Sequence, residues 1–286
     1  LPAVIGTRPS AEEAREKASL VDTLNTREGD SMKKGRHIFV GDVHGMSEAL
    51  RSLLEELKPV EGDELIFVGD LLDKGPDSVG AVGLVRELSE DGPFEVVLVE
   101  GNHEDKHRRY RRNLSVRPAV AAEQAERGPA MAAITEALSP EDVAFLDTAV
   151  LFHRVLDHGM LVVHGGIPGD MSEFPASLEE VAALTGKAKR RASLLLRTRF
   201  VSAEGGEFLK LGAAAPGDPF WAEAYDGRFG HVVFGHEPFM SGPGLFPNAT
   251  GVDTGAVSGG SLTALVVQAS GEQAFVSVPT RPEGVK

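Results

Sequence analysis

Six side chains scattered along a chain of 286 residues carry the donor atoms of a divalent-metal centre. They are Asp42 and His44 in GDVHG, Asp70 in GDLLDKGP, Asn102 in GNHE, His164 in VHGG and His236 in GHE. All are oxygen or imidazole donors, and the chain contains no cysteine. That excludes thiolate zinc, iron–sulfur clusters and thiol nucleophiles, and leaves first-row divalent ions such as manganese, iron, zinc, cobalt or nickel. Six donors are too many for one ion with an open catalytic position. They suit two ions about 3.5–4 Å apart, bridged by one carboxylate, a pair that clamps phosphoryl oxygens and acidifies water. Any one of these histidines alone reads as a hydrogen-bonded residue at a strand end. Five glycine-flanked Asp, Asn or His positions, each at the same place in its motif, have no such structural explanation.

The elements that must position them are legible as apolar runs. Residues 37–40, 64–68, 95–99, 160–163 and 231–234 are short, continuous and rich in Val, Ile, Leu and Phe, and each ends directly before one of the donor motifs. Such runs are expected of strands covered on both faces, and the helical patterns between them predict an α/β fold. In an open sheet, ligands collect beyond the carboxyl ends of the strands, so residues far apart in sequence meet there. The adjoining glycines let the chain turn sharply. The expected architecture is a layered αββα fold: a two-sheet sandwich with flanking helices, in which strands from about 251 to 278 pack behind the first group. One domain is expected over residues 37–280. Residues 105–159 and 171–230 form insertions at the rim, the first a helical cap. Residues 1–36 read as a disordered extension, with Met32 a candidate native start.

Composition bounds the partners. Hydrophobic residues make up 42% and charged residues 25%, an ordinary globular balance. The net charge of −14, from 29 Lys and Arg against 43 Asp and Glu, argues against nucleic-acid polymers and anionic membranes as partners. A small anionic substrate is still compatible, because a bound divalent cation dominates the field in its own site. No window resembles a membrane span or a signal peptide, so a cytoplasmic protein is expected.

The motifs GDVHG, GDLLDKGP, GNHE, VHGGI and FGHE resemble, in order and spacing, the calcineurin-like metallophosphoesterases. The resemblance covers about residues 37 to 268. It is to the phosphoprotein phosphatase branch and, within that, to the symmetrical diadenosine tetraphosphatase-like phosphatases. It implies one metal held by Asp42, His44 and Asp70, and a second by Asp70, Asn102, His164 and His236, with manganese the favoured ion. It further implies that His103 donates a proton to the leaving oxygen while Asp73 orients its ring. The structural alternative for Asp73 is a helix N-cap. Lys74 stands where protein phosphatases of this family carry Arg, so a point charge replaces a bidentate fork. Residues 251–255 and 259–265, and the stretch LRTRF at 196–200, are similar to the diadenosine tetraphosphatase relatives. Arg199, or Arg197 instead, is the candidate phosphate contact, against the alternative of an exposed helix arginine.

The activity so implied is hydrolysis of phosphate esters or anhydrides, foremost nucleoside polyphosphates such as diadenosine tetraphosphate. A Ser/Thr protein phosphatase acting on phosphoproteins is the alternative, and a non-catalytic binding module on the same fold a third reading. The basic stretch at residues 106–112 is either a solvated helix face or a landing strip for an extended anion through Arg108 and Arg111. A helix is expected through residues 187–199, and Trp221 is expected to be a packing anchor.

Overall fold

The computed structural model describes residues 35–280. Three parallel strands open the fold, β1 (His37–Val40), β2 (Glu64–Phe67) and β3 (Glu95–Leu98), joined by helices α1 (Ser47–Leu57) and α2 (Ser78–Asp91). Helices α3 (Asn102–Val116), α4 (Pro118–Arg127), α5 (Pro129–Ala137) and α6 (Pro140–Leu146) follow as a cap. Proline opens each of α4, α5 and α6, where its missing N–H costs nothing, and Ser139 Oγ accepts the Asp142 N–H to start the last. Tyr110, Ala121, Met131 and Ala132 form the small core of the cap.

A second sheet begins with β4 (His153–Val155) and β5 (Met160–Val162). The chain then runs through α7 (Leu178–Ala183), α8 (Gly186–Ala192) and α9 (Trp221–Ala224) before returning as β6 (His231–Phe234), β7 (Gly244–Phe246) and β8 (Ala249–Gly251). The order in this sheet is β4-β5-β6-β8-β7. Strands β9 (Asp253–Thr254), β10 (Ser261–Val267) and β11 (Gln273–Pro279) go elsewhere. β10 pairs antiparallel with β1, Ile38 opposite Val266, so the first sheet runs β11-β10-β1-β2-β3 with β9 on β10. The molecule is thus two mixed sheets with flanking helices, as expected. The C-terminal strands, however, extend the first sheet, and the back sheet is built around the apolar runs at 160–163 and 231–234.

Alternating side chains explain why these strands read as unbroken apolar runs. Ile38, Val40, Leu65 and Phe67 face α1 and α2 and pack on Leu50, Leu53, Val82 and Val85. Their neighbours Phe39, Ile66 and Val68 face the other sheet and meet Met160, Val162, Val233 and Val252. On the far side, Leu161, Val163, Val232 and Phe234 close around Trp221, Phe220 and Tyr225. Period two puts successive residues on opposite faces, and here both faces are dry. Trp221 is the expected anchor: it is buried, and a Cβ on Gly166 would stand 2.3 Å from its Nε1. The expected helix through 199 stops at Ala192, followed by a 3₁₀ turn over Ser193–Leu196. Arg197 and Arg199 therefore leave from irregular backbone. Among the described residues no helix is long and apolar enough to cross a membrane.

Candidate metal centre and active site

Backbone strain marks the site. Among the described residues, non-glycine positions with positive φ are His44 (44°), Asp70 (55°), Asp73 (69°), Lys74 (67°), His236 (70°) and Lys58 (46°). Lys58 ends α1; the rest lie in the donor loops behind β1, β2 and β6. Left-handed backbone is costly for residues with a Cβ, and it persists where surrounding contacts over-determine it. One such contact is explicit. The Glu104 carboxylate, buried in the first turn of α3, accepts the N–H groups of Asp70 (2.8 Å), Leu71 (2.9 Å) and Gly101 (2.9 Å). It staples the loop behind β2 to the helix that carries Asn102 and His103. Glu104 closes the GNHE motif and has no role predicted from sequence.

The donors converge. Asp70 Oδ2 lies 3.5 Å from His44 Nε2 and 3.3 Å from His164 Nε2. His44, Asp70 and His103 form one group, and Asp70, His164 and His236 another, the ligand atoms within each group lying within 4.8 Å of one another. Asp70 belongs to both. Asn102 Oδ1 is 3.1 Å from His164 Nε2. The Asp42 carboxylate accepts the His236 backbone N–H at 3.1 Å, and its Oδ2 is 3.9 Å from His44 Nε2. The structure thus brings together all six sequence-predicted donors, with His103 closer than Asp42 to the His44–Asp70 pair.

The donor chemistry fits a pair of divalent ions. His44 Nδ1–H donates to Leu72 O at 2.8 Å and His164 Nδ1–H to Val68 O at 2.9 Å, which fixes both rings with Nε2 toward Asp70. Burial, with the Lys74 and His103 charges, lowers the His44 pKa to about 4 against the pull of Asp70. Burial with His164 and Arg199 lowers His236 to about 2. Both are neutral at pH 7 and need lose no proton to bind a cation. Burial also opposes the charged form of His164, but the Asp70 and Asp42 carboxylates override it and raise its pKa to about 10. Burial would push Asp70 up as well, and the imidazoles of His164, His103 and His44 hold it well below the usual carboxylate range. Asp70 and Asp42 thus favour a positive charge at His164.

Beside it stands a second polar cluster. His103 Nδ1 is 2.5 Å from Asp73 Oδ2, which also accepts from Lys106 Nζ at 2.7 Å, while His107 Nε2 lies 3.1 Å from Asp73 Oδ1. Burial alone would raise the Asp73 carboxyl; hydrogen bonds from His103, His107 and Lys106 hold it far below its ordinary value. The N-cap of α2 is Asp77, whose Oδ1 accepts the Gly80 N–H, so Asp73 is not the cap.

Asp70, Asn102, His103 and His236 floor a cavity of about 530 Å³. Its walls carry Lys74, Lys106, Arg109, Arg197, Arg199 and Lys210, a local excess of cations in an acidic chain, and an apolar side of Phe200, Phe208, Leu209 and Leu211. Lys74 Nζ lies 2.8 Å from His44 Nε2. Arg199 is held by His236 O at 2.7 Å and Glu237 at 2.7 Å, and Arg197 by Asp105 at 2.9 Å, so both candidate arginines face the cavity. The basic stretch divides. Lys106 and Arg109 line the cavity, whereas Arg108 pairs with Glu100 at 2.8 Å and Arg111 with Asp147. The landing-strip idea therefore moves from Arg108 and Arg111 to Lys106 and Arg109, which a helical period could have separated from their neighbours.

Comparison with known proteins follows the same lines. The sequence profile of the family Calcineurin-like phosphoesterase matches residues 35–240. Bis(5'-nucleosyl)-tetraphosphatase PrpE [asymmetrical] of Anoxybacillus flavithermus (strain DSM 21510 / WK1) is 30% identical over 254 residues, 85% of this chain and 93% of that protein. A crystal structure named as a candidate diadenosine tetraphosphatase superposes with a TM-score of 0.61 at 25% identity, covering 86% of this chain and 94% of the other. A protein serine/threonine phosphatase from Saccharomyces cerevisiae, with a TM-score of 0.54, 15% identity and coverage of 96% and 91%, shares the fold.

Proposed function

The chain belongs to the calcineurin-like phosphoesterases, and from that premise we propose that it is a dinuclear metallophosphohydrolase of nucleoside polyphosphates, working in the cytoplasm with manganese as the favoured ion. The observation that carries the reading is Asp70, shared by both donor groups on the floor of a cation-walled cavity. Asp42, His44 and Asp70 would hold one ion, and Asp70, Asn102, His164 and His236 the other. Bound there, the two ions supply Lewis-acid polarisation of the phosphoryl oxygens and a water of lowered pKa.

The chain's own residues do the rest. Lys74, Arg197 and Arg199 bind the non-reacting phosphoryl oxygens and orient phosphorus for in-line attack. His103 holds the proton for the leaving oxygen on Nε2, the ring nitrogen turned away from Asp73. Asp73 accepts the Nδ1–H of His103 at 2.5 Å and so holds the ring with Nε2 turned toward the leaving oxygen. A serine/threonine phosphatase has weaker support, because Lys74 replaces the family's Arg and the yeast likeness speaks only to fold.

The Anoxybacillus flavithermus relative is named asymmetrical, whereas the motif resemblance points to the symmetrical enzymes. We take the asymmetrical split. The test is incubation of the manganese-loaded protein with diadenosine tetraphosphate and separation of the products. ATP with AMP is expected; two ADP would move the reading to the symmetrical class. Cleavage of phosphopeptides without dinucleotide turnover would replace it by the protein phosphatase, and failure to bind any metal would remove the centre altogether.

A further inference from the structure

A second cavity of about 450 Å³ adjoins the catalytic one, and Arg109 and Arg197 line both. We propose that this second cavity is the subsite for the distal nucleoside of a dinucleoside polyphosphate whose scissile phosphate sits over Asp70; the proposal rests on the nucleotide reading above.

Three features of the cavity match the three parts of that ligand. The first is the shared arginine pair. A single oxygen, Asp105 Oδ2, holds Arg197 Nη2 at 2.9 Å and Arg109 Nε at 3.2 Å, which fixes both guanidinium groups where the two cavities meet. Guanidinium groups so placed suit the interior phosphates of a chain that passes from one cavity to the other. The second feature is an apolar wall of Val150, Leu151, Val181, Leu184 and Leu196, which suits the face of a base. The third is a pair of carboxylates on the same lining, Glu100 and Asp105, both buried. Carboxylates are the acceptors that ribose hydroxyls use in nucleotide sites.

Length agrees as well. His103, at the catalytic floor, and Arg109, at the junction, lie six residues apart on α3, a rise of about 9 Å. That is comparable to a polyphosphate chain; a mononucleotide seated at the metal centre would leave the second cavity unfilled. A folded phosphoprotein would not enter a space of this size, so an extended small anion is the occupant that fits.

The test removes the distal nucleoside from the ligand and the space from the protein. Diadenosine tetraphosphate and adenosine 5'-tetraphosphate carry the same phosphate chain and differ by one nucleoside. The wild-type protein is expected to show a KM for the dinucleotide lower by about tenfold, equivalent to about 1.4 kcal/mol. Ala182→Trp places bulk into the lining from an exposed position, and Leu178→Glu puts a charge at its mouth, where the leucine is 40% exposed. Each should erase the preference by raising KM for the dinucleotide alone. A preference that survives both substitutions, or an equal rise for both nucleotides, overturns the proposal. Hydrolysis of p-nitrophenyl phosphate with neither nucleotide turned over by the wild type would overturn it too, by removing the nucleotide reading while leaving the metal centre standing.

Discussion

At Asp70 one carboxylate serves two donor groups, and its pKa is held low by three imidazoles despite full burial. Asp70→Asn removes the bridging charge and keeps the shape. It should abolish uptake of the second manganese equivalent, read by metal analysis after gel filtration, and lower kcat by about 10³-fold or more if bridging is its role. Asp73→Asn is a different experiment. It leaves the metal donors intact and releases His103, so kcat should fall about 10²-fold for alkyl phosphates and little for p-nitrophenyl phosphate, whose leaving group needs no proton. Equal losses on both substrates would deny His103 the acid role. The donors were legible in the sequence because each follows an apolar run by one or a few residues, and local order places it at a strand end. The role of Asp73 was not separable from capping by sequence alone: GDLLDKGPDS offers Asp73 and Asp77, and only His103, thirty residues on in α3, decides which one caps. Arg197 and Arg199 were obscured for the opposite reason. A helical pattern through residue 199 hid the turn that aims them at the cavity.

Between elements, the contacts that matter are polar staples through an apolar stack. Glu104 joins the loop behind β2 to α3 by three backbone hydrogen bonds in a dry site. Glu104→Gln would set an NH₂ group against N–H donors and leave at least one of them unpaired, at about 1–3 kcal/mol for each. Urea unfolding should show that loss, and metal affinity should fall with it, since Asp70 loses the partner that holds its φ of 55°. Glu64 makes the corresponding link between sheets: from β2 it binds His37 of β1 at 2.7 Å and His153 of β4, in the other sheet, at 2.8 Å. Burial would raise its pKa, but the hydrogen bonds and charges of His153 and His37 lower it to about 2 from 4.5. Because the folded-state value is the lower one, the stabilisation is complete above about pH 4.5 and is lost as pH falls toward 2. Glu64→Gln should therefore flatten the fall of Tm across that acid window; an unchanged slope would mean the clamp contributes nothing. Strands β1, β2, β3, β5 and β6 were readable from apolar runs, whereas the short β4 and β7 were not, and neither was sheet membership. A run buried on both faces carries no mark of which edge it pairs with, and β10 joins β1 only through a register that long-range contacts set.

For the molecule as a whole, a net charge of −14 surrounds a cavity walled by six Lys and Arg side chains. The two fields act on a polyphosphate with opposite sign, and distance decides between them. At about 0.15 M salt the screening length is about 8 Å, so the distant acidic surface is largely silenced before the ligand arrives. The wall cations act within contact distance, in a concave site where the dielectric is lower, and are screened less. Local attraction therefore governs. Raising ionic strength from about 0.05 to 0.5 M should lower kcat/KM for diadenosine tetraphosphate several-fold, while p-nitrophenyl phosphate, with fewer charges and no reach to Arg109, changes much less. Arg109→Gln should shallow the salt dependence for the dinucleotide and leave that for the aryl phosphate as it was. An increase of kcat/KM with salt would show the opposite balance: repulsion by the acidic surface would then set the encounter, and the cationic wall would act only after binding.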